Sequence, residues 1–436
     1  MQTPEEFLEA NGFVSGQLDR NALVSTFIKE MDAGLKGEPS SLAMIPTYVS
    51  PSGELRRDTP VAVLDAGGTN LRAGTVSFPS DAAEAKIEHL EKGAMPGTAG
   101  YVSPDEFYGT FAAHLERTKP FAADPAIGFC FSYACEAAPD GDAKLLHWTK
   151  EIQAPEIVGQ WVGSELKKRL SFVPSKLLVL NDTVTTLLAG KLVEKPGQRF
   201  SAYIGFILGT GTNVAYVQKT SGIAKLAPGD YPVEMIVNAE SGGFSKMPQS
   251  KFDAAMDAKC KDTGKQMFEK MISGAYLGSI GLEIFKAAAK AGFFTDAAAK
   301  QIAAMPTLEN MHLDNFCANF DNGKPNPLFK VFADANDAAM ARRLSTPVFE
   351  RAAILTAIHL AAFIVKTGGG SDSSAPVCVC VDGTVYHKTR SVSFPQIVQR
   401  ELDQMLGPRN VSFALTDCPG NAPMVGAAVA ALLKQV

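Results

Sequence analysis

Two glycine- and threonine-rich turns carry residue types that are suited to binding phosphate. They are Asp65-Ala66-Gly67-Gly68-Thr69-Asn70 and Leu208-Gly209-Thr210-Gly211-Thr212-Asn213. Glycines let a ligand approach backbone N–H groups, which form anion-binding concavities together with threonine hydroxyls. Asp65 ends an apolar run, where its carboxylate can hold Mg²⁺ directly or through water. Either turn taken alone is more typical of an ordinary hairpin, and neither matches the Walker A or dinucleotide patterns.

Asp182 has the position expected of a catalytic base. It follows the apolar run Leu177–Leu180 and begins a helical pattern that continues from Thr183 to Val193. A carboxylate at the end of a buried strand is well placed to project into a cleft and accept a proton from a hydroxyl nucleophile. Aspartate is also a common helix N-cap, and one residue can serve both roles.

The elements that would position these residues alternate between strands and helices. This alternation predicts an α/β protein with largely buried sheets. The predicted strands are Val61–Ala66, Leu71–Phe78, Ala126–Tyr133, Lys176–Leu180, Ser201–Leu208, Asn213–Gln218, Pro376–Val381 and Val411–Leu415. The predicted helices are Glu156–Leu170, Thr183–Val193, most of Lys251–Val365, Pro395–Leu406 and Pro423–Lys434, with Asp182 as the expected N-cap of the second.

The two turns also lie in similar surroundings. Gly68-Thr69-Asn70-Leu71-Arg72-Ala73 matches Gly211-Thr212-Asn213-Val214-Ala215-Tyr216, and each segment joins one apolar strand to the next. Repetition in the same setting indicates two homologous halves. Two such halves, facing each other, would place the two turns across one cleft.

Composition excludes several classes of protein. The 436 residues include 41 Lys and Arg against 46 Asp and Glu, a net charge of −5 that argues against nonspecific binding to nucleic acids or anionic membranes. The longest apolar run, Ala352–Val365, falls short of the roughly 20 residues of a membrane span and predicts a buried helix. The seven cysteines form no Cys-x-x-Cys pair, which predicts free, mostly buried thiols in a reducing compartment. The N-terminus lacks a signal-peptide pattern, so we expect a cytoplasmic protein. The spacing of the cysteines and histidines does not suggest a structural metal.

Six segments closely resemble motifs of the hexokinases of the hexokinase–glucokinase type, and they occur in the same order as in that family. The resemblance runs from about Asn21 to the C-terminus. The segments are Leu64–Arg72 (first phosphate motif), Gly128–Tyr133 with Leu146–Lys150 (sugar segment), Leu180–Val184 (catalytic segment), Ile207–Asn213 (second phosphate motif), Phe268–Gly274 (family signature) and Val381–Tyr386 (nucleotide site).

This resemblance implies the actin-like ATPase, or ribonuclease H-like, fold, with two α/β domains around a cleft. The smaller domain would comprise residues 59–182 and 421–436, and the larger one residues 1–58 and 183–420. The implied reaction is ATP-dependent phosphorylation of the 6-hydroxyl of a hexose, with glucose as the expected substrate and mannose or fructose as further candidates. Sugar binding would close the cleft and exclude water. We expect a monomer or homodimer with no nucleic-acid or membrane partner.

The resemblance also implies roles for individual residues. Asp182 would be the general base, and Lys150 would offset charge on the transferring phosphoryl group. The sugar would be bound by Ser132, Thr149, Lys150, Asn181, Asp182, Asn213, Glu240 and Glu269. ATP would be bound by Asp65, Gly67, Gly68, Thr69, Asn70, Arg72, Gly209, Thr210, Gly211, Thr212, Asp382, Gly383 and Thr384, with Asp65 holding Mg²⁺ through water. Taken singly, Glu240 and Glu269 are more typical of surface acids, and Ser132 and Thr149 are more typical of loop hydroxyls. Arg72 is also compatible with a plain salt-bridging residue on the second strand.

The chain departs from the family pattern beside these positions. Ala134, Glu151-Ile152 and Ser241 replace the usual Pro, Gly-Phe and Trp, and Gly420-Asn421-Ala422-Pro423 stands in place of a Gly-Lys-Gly-Ala run. Two alternatives to a kinase therefore stay open. One is a sugar sensor of the same fold with weak catalysis, and the other is an actin- or chaperone-like ATPase that does not use sugar. Sugar-stimulated ADP release distinguishes the kinase from both.

Overall fold

The computed structural model describes residues 2–13, 16–82, 84–118, 126–148, 152–193 and 198–434. Within these ranges the strands are β1 (Ile45–Pro46), β2 (Glu54–Leu55), β3 (Val61–Ala66), β4 (Asn70–Ser77), β5 (Lys86–Ala94), β6 (Ala126–Phe131), β7 (Ala134–Ala137), β8 (Ala143–His147), β9 (Lys176–Leu180), β10 (Ala202–Leu208), β11 (Thr212–Lys219), β12 (Glu234–Asn238), β13 (Val377–Asp382), β14 (Phe413–Asp417) and β15 (Leu433–Lys434).

The helices of the same ranges are α1 (Pro4–Ala10), α2 (Arg20–Lys36), α3 (Pro104–Arg117), α4 (Val162–Lys167), α5 (Asp182–Gly190), α6 (Lys251–Asp257), α7 (Met267–Ile272), α8 (Leu277–Lys290), α9 (Asp296–Ala304), α10 (Asn310–Cys317), α11 (Pro327–Val331), α12 (Ala335–Thr367), α13 (Thr384–Lys388), α14 (Phe394–Leu406) and α15 (Ala422–Leu432). The α/β class predicted from the alternating pattern is confirmed.

Two sheets have the same topology. One has the order β5-β4-β3-β6-β9, and the other has β12-β11-β10-β13-β14 with β1 added at its edge. Numbered within each sheet, both orders are 3-2-1-4-5, with antiparallel pairing among the first three strands and parallel pairing among the rest. In each sheet a Gly-Thr-Asn turn joins the first strand to the second. The repeat seen in the sequence therefore corresponds to two halves of equal topology; the domain boundaries given above stay a prediction.

Helices α5 and α15 pack against each other between the two sheets. Helix α5 also contacts β10, β11 and β13, while α15 contacts β3, β6 and β9. Two glycines permit this closeness. A Cβ on Gly426 of α15 would lie 1.8 Å from the carbonyl oxygen of Thr185, and one on Gly205 of β10 would lie 2.3 Å from that of Thr183. Because no side chain fits at either contact, α5 is held tightly between β10 and α15.

Helix α12 forms the centre of the helical layer on the β10 sheet. It packs against α2, α8, α14 and α7, and its residues from Ala352 to Ile364 are all buried. The prediction of a buried helix is thus confirmed, but the argument from length is wrong, because the helix continues back through Pro347 to 33 residues. Among the described residues it alone is long and apolar enough to cross a membrane, and 89% of its most apolar window is buried inside the protein.

Three local predictions are wrong. The helix expected over Glu156–Leu170 is a 3₁₀ turn at Pro155–Ile157 followed by the short α4, because Gly159 adopts a positive φ between them. The N-cap of α5 is Asn181 rather than Asp182, which is the first helical residue. The seven cysteines are not all free: Cys380 on β13 forms a disulfide with Cys418, which directly follows the neighbouring strand β14.

Candidate active site

The candidate base lies at the junction of β9 and α5. Asn181 caps the helix, because its Oδ1 accepts hydrogen bonds from the Thr183 backbone N–H at 3.0 Å and from the Thr183 hydroxyl at 2.6 Å. Capping by Asn181 fixes the start of α5 and so the position of Asp182. Since α5 also packs against both β10 and α15, Asp182 stands where the two sheets come together.

A chain of polar side chains continues from this cap along the edge of the second sheet. The Asn213 Nδ2 donates to Asn238 Oδ1 at 2.7 Å, and the Asn238 Nδ2 donates to Glu240 Oε1 at 2.8 Å. The Thr183 hydroxyl lies 3.4 Å from Asn238 Oδ1, which links the chain to α5. Three of the predicted sugar-binding residues, Asn181, Asn213 and Glu240, thereby lie along one polar chain. The fourth, Asp182, lies near enough to Glu240 for its charge to raise the pKa of that carboxyl.

Glu240 has an unusual setting. Its backbone is in the left-handed region with φ of 51°, and it precedes a short 3₁₀ turn. Burial raises the pKa of its carboxyl, and the nearby Asp182 carboxylate raises it further, whereas the hydrogen bond from Asn238 lowers it. The Glu240 carboxylate therefore depends on hydrogen-bond donors to stay ionised.

Glu269 joins the same region from the other side. It lies in the first turn of α7, and its Oε2 accepts a hydrogen bond of 2.9 Å from the Thr212 backbone N–H. This bond connects a predicted sugar-binding residue to the second phosphate turn. Gly209 and Thr210 of that turn accept backbone hydrogen bonds from Gly274 and Ala275, just after α7.

The predicted nucleotide residues Asp382, Gly383 and Thr384 adjoin this second turn. A Cβ on Gly383 would lie 2.2 Å from the Leu208 carbonyl oxygen, so the two backbones are in direct contact. The Asp382 Oδ1 accepts a hydrogen bond of 2.7 Å from the Gly383 N–H. The structure thus brings together the second turn and the segment after β13, which lie about 170 residues apart in the sequence.

The first turn contains an ion pair. Arg72 lies opposite Asp65 in the β3–β4 hairpin, and its Nε and a terminal nitrogen donate to Asp65 Oδ2 at 2.7 and 2.5 Å. Another nitrogen of Arg72 donates to Asn421 Oδ1, at the start of α15, at 3.2 Å. Burial raises the pKa of Asp65 although Arg72 opposes the shift. Arg72 has the salt-bridging position considered above, and Gly67, Gly68, Thr69 and Asn70 form the turn between the paired strands.

These contacts bear on the predicted role of Asp65 with Mg²⁺. One of its oxygens already accepts from Arg72, and no group of three or more His, Cys, Asp or Glu side chains capable of holding a metal occurs in the described parts of the chain. The protein alone thus offers too few ligands for the ion. The residues fit an Mg²⁺ ion that arrives with nucleotide phosphates and meets Asp65 through a water molecule.

Cys130 lies between the first turn and the catalytic segment. It is fully buried on β6, within 3.9 Å of the Ser132 hydroxyl and 3.6 Å of the Thr185 hydroxyl. Burial and the negative charges of Asp65 and Asp182 raise the pKa of its thiol. Both carboxylates therefore lie near Cys130, and Ser132 lies on the same side of the site. Thr149 and Lys150, the remaining predicted sugar contacts, lie outside the described residues.

Sequence reasoning missed two residues of this region. Asn238 ends β12 two positions before Glu240, and this Asn-x-Glu spacing at a strand end was an available signal. Asn421 was noted only as a departure from the family pattern. Its contact with Arg72 depends on where α15 begins, which sequence spacing does not give.

Comparisons with known proteins show to which family the chain is similar. Two family models, both described as hexokinase, match residues 9–192 and 203–433. Hexokinase-2 of Oryza sativa subsp. japonica is 31% identical over 438 residues, covering 92% of this chain and 85% of the relative. Hexokinase-2 of Solanum tuberosum is 29% identical over 464 residues, covering 99% of this chain and 91% of the relative.

Solved structures give the same result. A hexokinase from Schistosoma mansoni complexed with glucose has a TM-score of 0.78 and 26% identity, with 98% of each chain covered. A ROK hexokinase from Thermus thermophilus, with 14% identity and a TM-score of 0.50, covers 86% of this chain and 98% of its own and shares the fold alone. The fold is that of the actin-like ATPases, as predicted. On the strength of the matches along nearly its whole length, the chain belongs to the hexokinase family, whose members phosphorylate hexoses with ATP.

Proposed function

We propose that this hexokinase phosphorylates the 6-hydroxyl of glucose, with Asp182 as the general base. The observation that carries the proposal is the convergence of Asn181, Asp182, Asn213, Glu240 and Glu269 beside the second phosphate turn. A hexose needs several acceptors and donors held rigidly, and this cluster offers carboxylates and amides on four elements. The glucose complex of the Schistosoma mansoni relative supports glucose as the sugar.

In this proposal the base acts on a hydroxyl held by its neighbours. The carboxylates of Glu240 and Glu269 accept hydrogen bonds from sugar hydroxyls, and the amide of Asn181 donates one. Asp182 takes the proton from the 6-hydroxyl as the oxygen attacks the γ-phosphorus of ATP, and ADP leaves. A positioned base contributes about 10²–10⁴-fold to the rate.

The two glycine turns receive the triphosphate from opposite sides. Backbone N–H groups of both turns and the Thr69 and Thr210 hydroxyls would be donors for phosphate oxygens. The Thr212 hydroxyl instead donates to the Ile207 carbonyl oxygen at 3.0 Å. Asp65 would help to hold the Mg²⁺ that accompanies the nucleotide, and that ion would supply neutralisation of the phosphate charge. Arg72, which is bonded to Asp65 and Asn421, would hold the Asp65 carboxylate in place.

The test is ADP release from Mg-ATP with glucose, mannose, fructose or no sugar. Glucose-dependent turnover is expected, and Asp182→Asn, which keeps the size of the side chain, should lower kcat by about 10²-fold or more. Asp81→Asn, at an exposed position, is the matched control and should leave kcat unchanged. Full activity of the Asp182→Asn enzyme would refute the assignment of the base, and glucose binding without turnover would favour the sensor.

A further inference from the structure

The side chain of Asn238 occupies the centre of the polar chain around the proposed sugar site. It is 4% exposed and belongs to the last residue of β12. Its backbone is fixed on both sides, because Asn238 pairs with Ala215 of β11 and with Ile45 of β1. A polar side chain in so confined a place needs partners for its amide.

The orientation of the Asn238 amide follows from donors that cannot be reversed. The backbone N–H groups of Val214 and Ser241 lie 2.7 and 3.1 Å from one end of the Asn213 amide, which must therefore be its oxygen. The Asn213 Nδ2 consequently faces Asn238 and requires an acceptor there, so Asn238 presents Oδ1 to Asn213. Its Nδ2 is then directed at the Glu240 carboxylate, 2.8 Å away. Each step uses hydrogen-bond polarity alone, so the direction of the whole chain is determined.

Glu240 needs this donor because of what surrounds it. The titratable groups near it among the described residues are Asp182 on α5, Cys135 on β7 and Glu269 on α7, of which two are carboxylates and one is a partly buried thiol. None of these adds positive charge. Asn238 is the neighbour whose hydrogen bond favours the ionised carboxylate.

We propose that Asn238 is a positioning residue of the hexose site, which fixes the Glu240 carboxylate as an ionised acceptor and aligns it with Asn213. The inference rests on the proposed role of Glu240 in binding the sugar. In this role Asn238 acts through Glu240 and not on ATP or the reacting oxygen. Its effect should therefore appear in the affinity for hexose, and the affinity for nucleotide should not change.

Two variants separate the two ends of the amide. Asn238→Asp keeps the acceptor for Asn213 but places a second carboxylate against Glu240. Asn238→Ala removes both bonds. A hydrogen bond to a charged group is worth enough to change binding by about 10- to 100-fold. Both variants should therefore raise KM for glucose by about that factor, with KM for ATP unchanged within about twofold.

The pH profile gives a readout that a merely structural role would not move. In Asn238→Asp, the two facing carboxyls share a proton at low pH and restore a hydrogen bond, so KM for glucose should fall as the pH is lowered from 8 to 5.5. In the wild type, protonation of Glu240 removes an acceptor, so KM should rise as the pH falls through the pKa of Glu240, which burial raises. Asn238→Ala should show the wild-type trend displaced to higher pH.

The matched control is Asn315→Ala, which removes another buried asparagine, 5% exposed, from α10. A double variant, Asn238→Ala with Glu240→Gln, should raise KM for glucose little more than Glu240→Gln alone, because the two residues act as a unit. The inference is overturned if the Asn238 variants match Asn315→Ala in KM and pH profile, or if the double variant is additive. If Glu240→Gln itself leaves KM for glucose unchanged, the proposed role of Glu240 fails instead.

Discussion

Replacement of His359 by leucine should stabilise the protein, and more so in acid. His359 lies in the C-terminal half of α12 and is fully buried, and neither ring nitrogen has a hydrogen-bond partner among the residues that the structure describes. Four phenylalanine rings surround it, from Phe27, Phe206, Phe268 and Phe363, with centroids 4.9 to 5.7 Å away. A buried polar group without a partner costs about 1–3 kcal/mol. Leucine, of similar volume, removes that cost.

The dependence on pH follows from the surroundings of the imidazole. Burial lowers the pKa of His359 from 6.5 to about 3. Between these values the unfolded chain binds a proton that the folded chain does not, so the wild type loses stability as the pH falls below 6.5. At 1.36 kcal/mol per unit, the loss between pH 6.5 and pH 5.0 is about 2 kcal/mol. The leucine variant lacks this loss, and its advantage should grow by about 2 kcal/mol between pH 7.5 and pH 5.0.

The assay is urea unfolding of the wild type and His359→Leu at both pH values, followed by circular dichroism. His147→Gln, at an exposed position, is the control and should behave as the wild type. An advantage of the leucine variant that is equal at pH 7.5 and pH 5.0 would refute the argument, because the imidazole would then not be held neutral by burial. A less stable variant at both pH values would show instead that packing around the ring outweighs its desolvation.

Two other features give predictions of their own. Gly426→Ala places a methyl group against the Thr185 carbonyl oxygen, so it should lower the free energy of unfolding by about 1–3 kcal/mol and reduce kcat. The control Gly109→Ala, where space is open, should change neither quantity, and equal effects of the two variants on unfolding and turnover would contradict the tight contact. Because Cys380 and Cys418 form a disulfide, thiol titration of the denatured, unreduced protein should detect five free thiols, and seven after reduction. Detection of seven free thiols before reduction would refute the pairing.

The sequence predicted best those elements whose apolar pattern is continuous. Strands β3 and β13 are buried almost throughout, and their predicted bounds differ from the observed ones by at most one residue at each end. The helix predicted from Glu156 was wrong, because its apolar spacing continues through Gly159, where the chain turns. The spacing of apolar residues alone does not reveal that a helix is interrupted at Gly159.

The site was predictable to the extent that it is local. The Asp65–Arg72 pair follows from the short hairpin, which sets these residues opposite each other, so it was available from the spacing. The disulfide and the contact of Asn421 with Arg72 join segments brought together only by sheet order and by the start of α15. The Asn-x-Glu spacing of Asn238 was visible in the sequence, but its contact with Asn213 of the neighbouring strand β11 depends on the sheet register, which the spacing does not give.

The close contacts of α5 restrict how the two halves can move relative to each other. On one side the Thr183 carbonyl meets Gly205, and on the other the Thr185 carbonyl meets Gly426. Backbone seated this closely against backbone resists sliding, because any translation along the helix axis drives a carbonyl oxygen into a flanking residue that carries a side chain. Cleft closure is therefore expected as a rotation about the α5–α15 crossing, in the manner of a hinge and not by shear. Because Asp182 begins α5, it lies close to that axis and travels least, while the outer rims of the cleft travel furthest.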